Sequence, residues 1–158
     1  MAMELTLTDN AWREISRHAL ETFPEECCGI VLSNGKTDDV RRCTNIQNLL
    51  HAHDPEAYTR DATTAYTMDI KELELVMREA ENTGARIKAF YHSHPGHEPY
   101  FSQEDKAFAS PFGEPTFPET AQIVVSIYDR VVRRVRAYMW AADKKDFVEV
   151  PLRKISPS

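Results

Sequence analysis

The sequence lacks the features that mark disulfide-rich, membrane and nucleic-acid-binding proteins. It has only three cysteines, and they form neither a disulfide framework nor a CxxC zinc pair. No apolar run approaches the roughly 18 residues of a membrane span, and no basic and then apolar segment marks a secretory signal. A net charge of −6 disfavours a nucleic-acid partner, because such binding relies on a basic surface. We therefore expect a cytoplasmic protein with reduced, buried thiols and neither membrane nor nucleic acid as partner.

The length of 158 residues fits one domain, over residues 1–158, that can bury a core without disulfides. Apolar spacing predicts a first helix over 8–23 with Trp12, Ile15, Ala19 and Leu20 on its buried stripe, and His18 on the surface. It predicts a second helix over 67–84. The core stripe of this helix is expected to comprise Ile70, Leu73, Val76, Met77 and Ala80.

Alternating and apolar runs predict the strands, and the Asn34-Gly35 dipeptide predicts a hairpin turn. The predicted strands cover 28–33, 39–45, 86–92, 121–128, 131–140 and 146–152, with a short helix over 102–109 and a long polar loop over 46–65. Strands with a few packed helices indicate an α+β fold. We expect a mixed or antiparallel curved sheet packed against two main helices plus the short helix.

Two histidines separated by one residue end an apolar, aromatic strand. Because side chains alternate faces along a strand, His92 and His94 point the same way and Ser93 points the other. Asp105, delivered by the short helix after a Pro/Gly turn, can supply a third ligand. Three protein ligands leave the fourth tetrahedral position of Zn²⁺ open for water, as in catalytic zinc sites. The combination predicts such a site, although a capping box of Ser102 with Asp105 also explains the acid alone.

A zinc hydrolase that cuts an amide also needs a proton carrier. Glu25 and Glu26 lie where the first helix gives way to a buried strand, and their spacing does not select between them. His51 and His53 repeat the one-apart spacing and form a rival metal pair, but their loop has no apolar alternation to fix them. His97 follows the Pro-Gly turn and has no spacing argument for the metal, so we expect at most a contact with substrate at the rim.

Three separated motifs together resemble the JAMM (MPN-plus) metalloproteases. They are Glu26-x-Cys28-Gly29 entering a strand, His92-Ser93-His94-Pro95, and Ser102-x-x-Asp105, with helices and strands around them in matching order. The resemblance implies that His92, His94 and Asp105 bind one zinc ion with a water as nucleophile. It implies Glu26 as general base, Ser102 as a donor to the oxyanion, and Cys28 as a packed residue.

The resemblance also implies a substrate. Members of this family cut peptide or isopeptide bonds next to the C-terminus of ubiquitin-like proteins, and compact members resemble bacterial enzymes acting on sulfur-carrier proteins that end in Gly-Gly. We expect such a partner. The alternatives are a non-catalytic module that binds a ubiquitin-like protein, a RadC-like protein associated with DNA repair, and a phosphoesterase, which would need more ligands than the chain offers. The carrier, the oligomeric state and the choice between peptide and isopeptide stay open.

Overall fold

The computed structural model describes residues 3–156 and is built on one six-stranded sheet. In chain order the elements are β1 (Leu5–Thr8), α1 (Asp9–Thr22), β2 (Cys28–Ser33), β3 (Asp38–Cys43), α2 (Gln47–His53), α3 (Ile70–Thr83), β4 (Arg86–Pro95), α4 (Gln103–Ala109), β5 (Ala121–Tyr128), β6 (Val131–Ala141), β7 (Asp146–Val150) and β8 (Leu152–Ile155). The sheet order is β3-β2-β4-β5-β6-β7. Strands β4 and β5 run parallel, and the other neighbours are antiparallel. The expected α+β class with a mixed sheet is confirmed.

The two long helices cover opposite faces of the sheet. Ile15 of α1 packs in one apolar cluster with Val31 of β2, whereas Val76 of α3 packs in another cluster with Ile30. Neighbouring residues of a strand point to opposite faces. The sheet is therefore the middle layer, with α1 on one side and α3 on the other.

Strand β4 lies at the centre of the sheet and carries the histidine pair. Phe90 packs against the α3 cluster, and Tyr91 is buried in the α1 cluster. By alternation, His92 and His94 project on the same side as Phe90. The predicted metal site therefore lies on the α3 face of the sheet. The opposite face of β4 packs in the α1 cluster.

The prediction that His18 lies on the surface is wrong. Helix α1 buries Ala11, Ile15 and His18, and Leu20, placed on the stripe by its spacing, is 37% exposed. His18 Nδ1 lies 2.7 Å from Tyr91 Oη. Because a tyrosine hydroxyl in a core needs a hydrogen-bond partner, His18 is buried at a position that the apolar spacing left outside the stripe.

Two further expectations are wrong in part. Residues 47–53 of the expected loop form α2, a helix without an apolar stripe and without a side-chain cap on its N-terminus. Of the expected α3 stripe, Val76 is buried, but Ile70 is 60% and Met77 is 40% exposed. The residues of α3 that pack in the cluster with β2, β3 and β4 are Leu73, Val76 and Ala80.

The edges of the fold also differ from the prediction. The single last strand expected over 146–152 is two strands, β7 and β8, and β8 pairs in parallel with β1, which carried no strong pattern.

The three cysteines are buried free thiols, as expected. Burial raises the pKa of Cys27 and of Cys43 to about 12. None of the helices within residues 3–156 is long and apolar enough to cross a membrane.

Candidate metal centre

The histidine pair is buried and convergent. His92 is 1% and His94 is 6% exposed, and their Nε2 atoms lie 3.1 Å apart. On one side of β4, His92 pairs in register with Cys28 of β2, and on the other side with Val124 of β5. A strand that is hydrogen-bonded on both sides gives the two imidazoles a rigid base.

Helix α4 brings Asp105 to the same point. Its Oδ2 lies 3.2 Å from His92 Nε2 and 3.7 Å from His94 Nε2. The three candidate donor atoms are thus 3.1 to 3.7 Å apart. Ligands at the bond lengths of about 2.0–2.1 Å that zinc prefers lie about 3.3–3.4 Å apart in a tetrahedron. The spacing of these atoms fits a tetrahedral zinc ion.

Asp105 and Ser102 fix each other in a capping box at the start of α4. The Ser102 hydroxyl accepts a hydrogen bond from Asp105 N at 3.0 Å, and Ser102 N donates to Asp105 Oδ2 at 3.0 Å. Both partners of the predicted capping box are therefore present. The same bonds orient the carboxylate toward the histidines, so the cap and the candidate ligand are one structural unit.

Glu26, and not Glu25, lies at the histidine pair. Glu26 is 4% exposed, and it forms with His92 and His94 a possible metal-binding group whose candidate ligand atoms all lie within 4.8 Å of one another. Glu25 turns away and accepts a hydrogen bond from Asn48 at 2.9 Å. The structure thus brings together four of the predicted site residues and places the fifth, Ser102, on the wall of the same cleft.

Burial sets the protonation of these groups. It lowers the pKa of His92, which favours the neutral imidazole that a metal requires. Burial alone would raise the pKa of Asp105. The charge that His92 carries when protonated, and the hydrogen bonds from His92, His94 and Ser102 N, outweigh burial and hold the pKa of Asp105 well below its usual range. Burial, reinforced by the charge of Asp105, raises the pKa of Glu26 to about 8. Glu26 can therefore exchange a proton near neutral pH.

A backbone carbonyl orients His94. Its Nδ1 lies 2.9 Å from the carbonyl oxygen of Glu98, which can only accept, so Nδ1 carries the proton and Nε2 is left with a lone pair toward the site. Ser126 Oγ donates to the carbonyl of His97, and Tyr138 Oη donates to that of Pro99. These bonds hold the loop on either side of Glu98.

The other histidines lie outside the group. His51 and His53 are two residues apart on α2, where side chains at that spacing point in nearly opposite directions, and His51 Nδ1 bonds to the carbonyl of Tyr58. They therefore do not form the rival metal pair. His97 is exposed on the cleft wall, with its ring centroid 6.4 Å from that of His94.

Two residues of the site carried no recognisable sequence signal. Tyr66 stacks on the ring of His92, with centroids 4.4 Å apart. Arg60 pairs with Glu104, and both residues line the cleft, whose volume is about 520 Å³. Both Tyr66 and Arg60 belong to the irregular segment 54–69, where periodicity offers no guide. The nearest available indication was the polar composition of the loop expected over 46–65.

Comparison with known proteins agrees with the geometry. The sequence profile of the prokaryotic homologs of the JAB domain matches residues 8–140. A desampylase from Haloferax volcanii is 30% identical over 110 residues, which cover 67% of this chain and 73% of that protein.

Solved structures share the fold. A protein from Desulfitobacterium hafniense, solved in solution, has a TM-score of 0.70 at 19% identity and covers 98% of this chain and 94% of its own. A JAB1/MPN domain protein from Archaeoglobus fulgidus has a TM-score of 0.53 at 13% identity, over 98% of this chain and 97% of its own. With a family profile spanning most of its length, the chain belongs to the prokaryotic homologs of the JAB domain.

Proposed function

We propose that the chain is a zinc-dependent hydrolase that cuts the amide bond after the C-terminal Gly-Gly of a ubiquitin-like or sulfur-carrier protein. One observation carries the proposal: three donor atoms at zinc spacing lie beside a buried glutamate whose pKa is close to neutral pH. The similarity to a desampylase supports an isopeptidase acting on a ubiquitin-like protein.

In this proposal His92, His94 and Asp105 hold one zinc ion. When bound, zinc acidifies its water toward neutral pH and polarises a carbonyl oxygen. The chain contributes the rigid strand, the capped helix and the carbonyl of Glu98 that keep these three side chains in place.

Glu26 acts as the proton carrier. Its pKa of about 8 lies near neutral pH, where a carboxyl group can both accept and return a proton. We assign it to take a proton from the attacking water and to deliver it to the leaving amine.

Ser102 stabilises the oxyanion. A hydroxyl has one proton to donate and two lone pairs. The helix cap uses a lone pair of Ser102, because Asp105 N is the donor in that bond. The proton of Ser102 is left for the oxygen that gains negative charge during hydrolysis.

The proposed preference for glycine next to the scissile bond rests on the residues that line the cleft. Segment 54–69 and helix α4 both line the cleft, and Arg60 of the segment forms an ion pair with Glu104 of the helix. A chain that reaches the histidines has to pass these lining residues, and glycine has no side chain to prevent close approach.

The experiment is mass spectrometry of Gly-Gly carrier proteins with C-terminal extensions, incubated with the wild type and with Glu26→Gln, His94→Ala and Glu25→Gln. We expect loss of the extension with the wild type and with Glu25→Gln. Glu26→Gln should slow cleavage about 10²–10⁴-fold, the usual effect of removing a general base.

Zinc content completes the test. We expect about one zinc ion per chain, and removal by a chelator should abolish cleavage until zinc is restored. Equal cleavage by wild type and Glu26→Gln would contradict the mechanism. Tight binding of the carrier by the metal-free chain, without cleavage under any condition, would favour the non-catalytic module instead.

A further inference from the structure

Asn45 makes four hydrogen bonds with its side chain, all to backbone groups. Its Nδ2 donates to the carbonyl of Glu26 at 2.9 Å and to that of Ala65 at 3.2 Å. Its Oδ1 accepts from Gln47 N and Thr67 N, both at 3.0 Å. A carboxamide has two donor hydrogens and two acceptor lone pairs. Asn45 therefore uses its whole hydrogen-bonding capacity to tie separate stretches of chain together.

One of these stretches carries the candidate base. Glu26 lies two residues before Cys28, where β2 begins, so its peptide groups are outside the strand. Its N–H donates to the carbonyl of Ala62 at 2.7 Å, and its carbonyl accepts from Asn45. The main chain of Glu26 is therefore positioned by the irregular segment and by one side chain.

Another of these stretches, residues 65–67, contains Tyr66, whose ring lines the site. Asn45 bonds the residues on both sides of Tyr66, and Tyr66 stacks on His92. Asn45 thus links the backbone of the base to the aromatic ring that covers a metal-site histidine. The carboxylate of Asp105 and the imidazole of His94 have other supports, namely the α4 cap and the carbonyl of Glu98.

We propose that Asn45 is a positioning residue, whose amide sets the distance of Glu26 from the histidine pair by joining the carbonyls of Glu26 and Ala65. Asn45 does not touch the reacting atoms and acts through Glu26. Its catalytic consequence rests on the proposed function, but its effect on the placement of Glu26 does not.

The test compares Asn45→Ala and Asn45→Asp with Asn34→Asp. Both Asn45 variants lose the two donors, and the aspartate keeps the acceptor for Gln47 and Thr67. Asn34 lies in the β2–β3 turn and also accepts two backbone hydrogen bonds, so it is a matched control remote from the site. Each variant is measured as the full chain.

The first readout is amide hydrogen exchange by NMR in the metal-free protein, which does not depend on activity. We expect the N–H of Glu26 to exchange at least about tenfold faster in both Asn45 variants, because its local structure opens more easily. The N–H of His92, inside the sheet, should keep its protection. Asn34→Asp should change neither. Unchanged exchange at Glu26 would overturn the proposal even if no carrier is ever cleaved.

The second readout separates positioning from general damage. For a carrier that the wild type cleaves, kcat should fall about 10–100-fold, the usual cost of losing a supporting hydrogen bond behind an active-site group. KM and the zinc dissociation constant, from competition with a coloured chelator, should stay within about threefold of wild type. Asp105 and His94 keep the α4 cap and the carbonyl of Glu98, and strand pairing on both sides of β4 still holds the backbone of His92. Wild-type kcat in both variants, or a loss of zinc affinity as large as the loss of kcat, would overturn it.

Discussion

Tyr66 lies nearly flat on the imidazole of His92, with ring planes inclined by 24° and centroids 4.4 Å apart. Tyr66 comes from the irregular segment 54–69 and reaches a histidine at the centre of the sheet. Burial, with the charge of Asp105, raises the pKa of its hydroxyl, so it stays protonated. The ring therefore covers His92 as a neutral aromatic face that limits how far the imidazole can turn.

Replacing Tyr66 tests this support. Tyr66→Ala should weaken zinc binding about tenfold, at the low end of the effects of residues that orient metal ligands. Tyr66→Phe keeps the stacked ring and should bind zinc like the wild type. Competition with a chelator measures both. If Phe and Ala weaken binding equally, the hydroxyl matters and the stacking argument is wrong.

Gly29 has no room for a side chain, because Tyr91 fills the space beside it on the α1 face of the sheet. A Cβ at this position would lie 2.3 Å from Tyr91 Oη and 2.4 Å from two ring carbons. Tyr91 cannot move away, because it is 1% exposed and bonded to His18. Gly29→Ala should therefore lower the free energy of unfolding by about 1–3 kcal/mol, as overpacking does.

Urea denaturation measures this effect, and a second background isolates its cause. In Tyr91→Leu the clashing ring is gone, so Gly29→Ala should cost less there than in the wild type. Equal costs in the two backgrounds would show that the glycine is needed for another reason.

Much of this fold could be predicted because periodic burial determines it. The apolar face of α1, the apolar run of β5 and the turn at Asn34-Gly35 each reflect a local pattern that the structure obeys. The spacing of His92, His94 and Asp105 was informative for the same reason, since a strand and a capped helix have fixed geometry.

The features that escaped prediction depend on contacts across the chain. His18 is buried because Tyr91, far away in sequence, needs a partner. Asn45 and Tyr66 take their places through hydrogen bonds and stacking between irregular segments. Periodicity carries no information about such contacts, because they do not repeat.

His18 should make stability depend on pH. Burial, with the charge of Arg42, lowers the pKa of His18 to about 4, below the ordinary histidine value of 6.5 expected in the unfolded chain. Between these values the unfolded state binds more protons, so the free energy of unfolding rises with pH. The contribution of His18 is fully present above pH 6.5 and is lost as the pH falls toward 4. Its full size is up to about 3 kcal/mol.

His18→Gln is the matched variant, because it can still bond to Tyr91 but does not titrate. Urea denaturation at a series of pH values between 7 and 4.5 covers most of the interval between the two pKa values of His18. The free energy of unfolding should depend less steeply on pH in the variant than in the wild type. Parallel curves for the two proteins would mean that His18 titrates normally and that other groups cause the acid loss.

Ser102 is expected to have two separable roles. Ser102→Ala should cost about 1 kcal/mol of stability by removing the cap of α4, and should lower kcat about 10²–10³-fold by removing the donor to the oxyanion. Thr8→Ala is the matched control, because Thr8 caps α1 in the same way by accepting from Ala11 N at 3.2 Å. It should lose a similar free energy of unfolding and keep its kcat. If both variants lose kcat in proportion to their loss of stability, Ser102 acts as a helix cap alone, and the oxyanion needs a different donor.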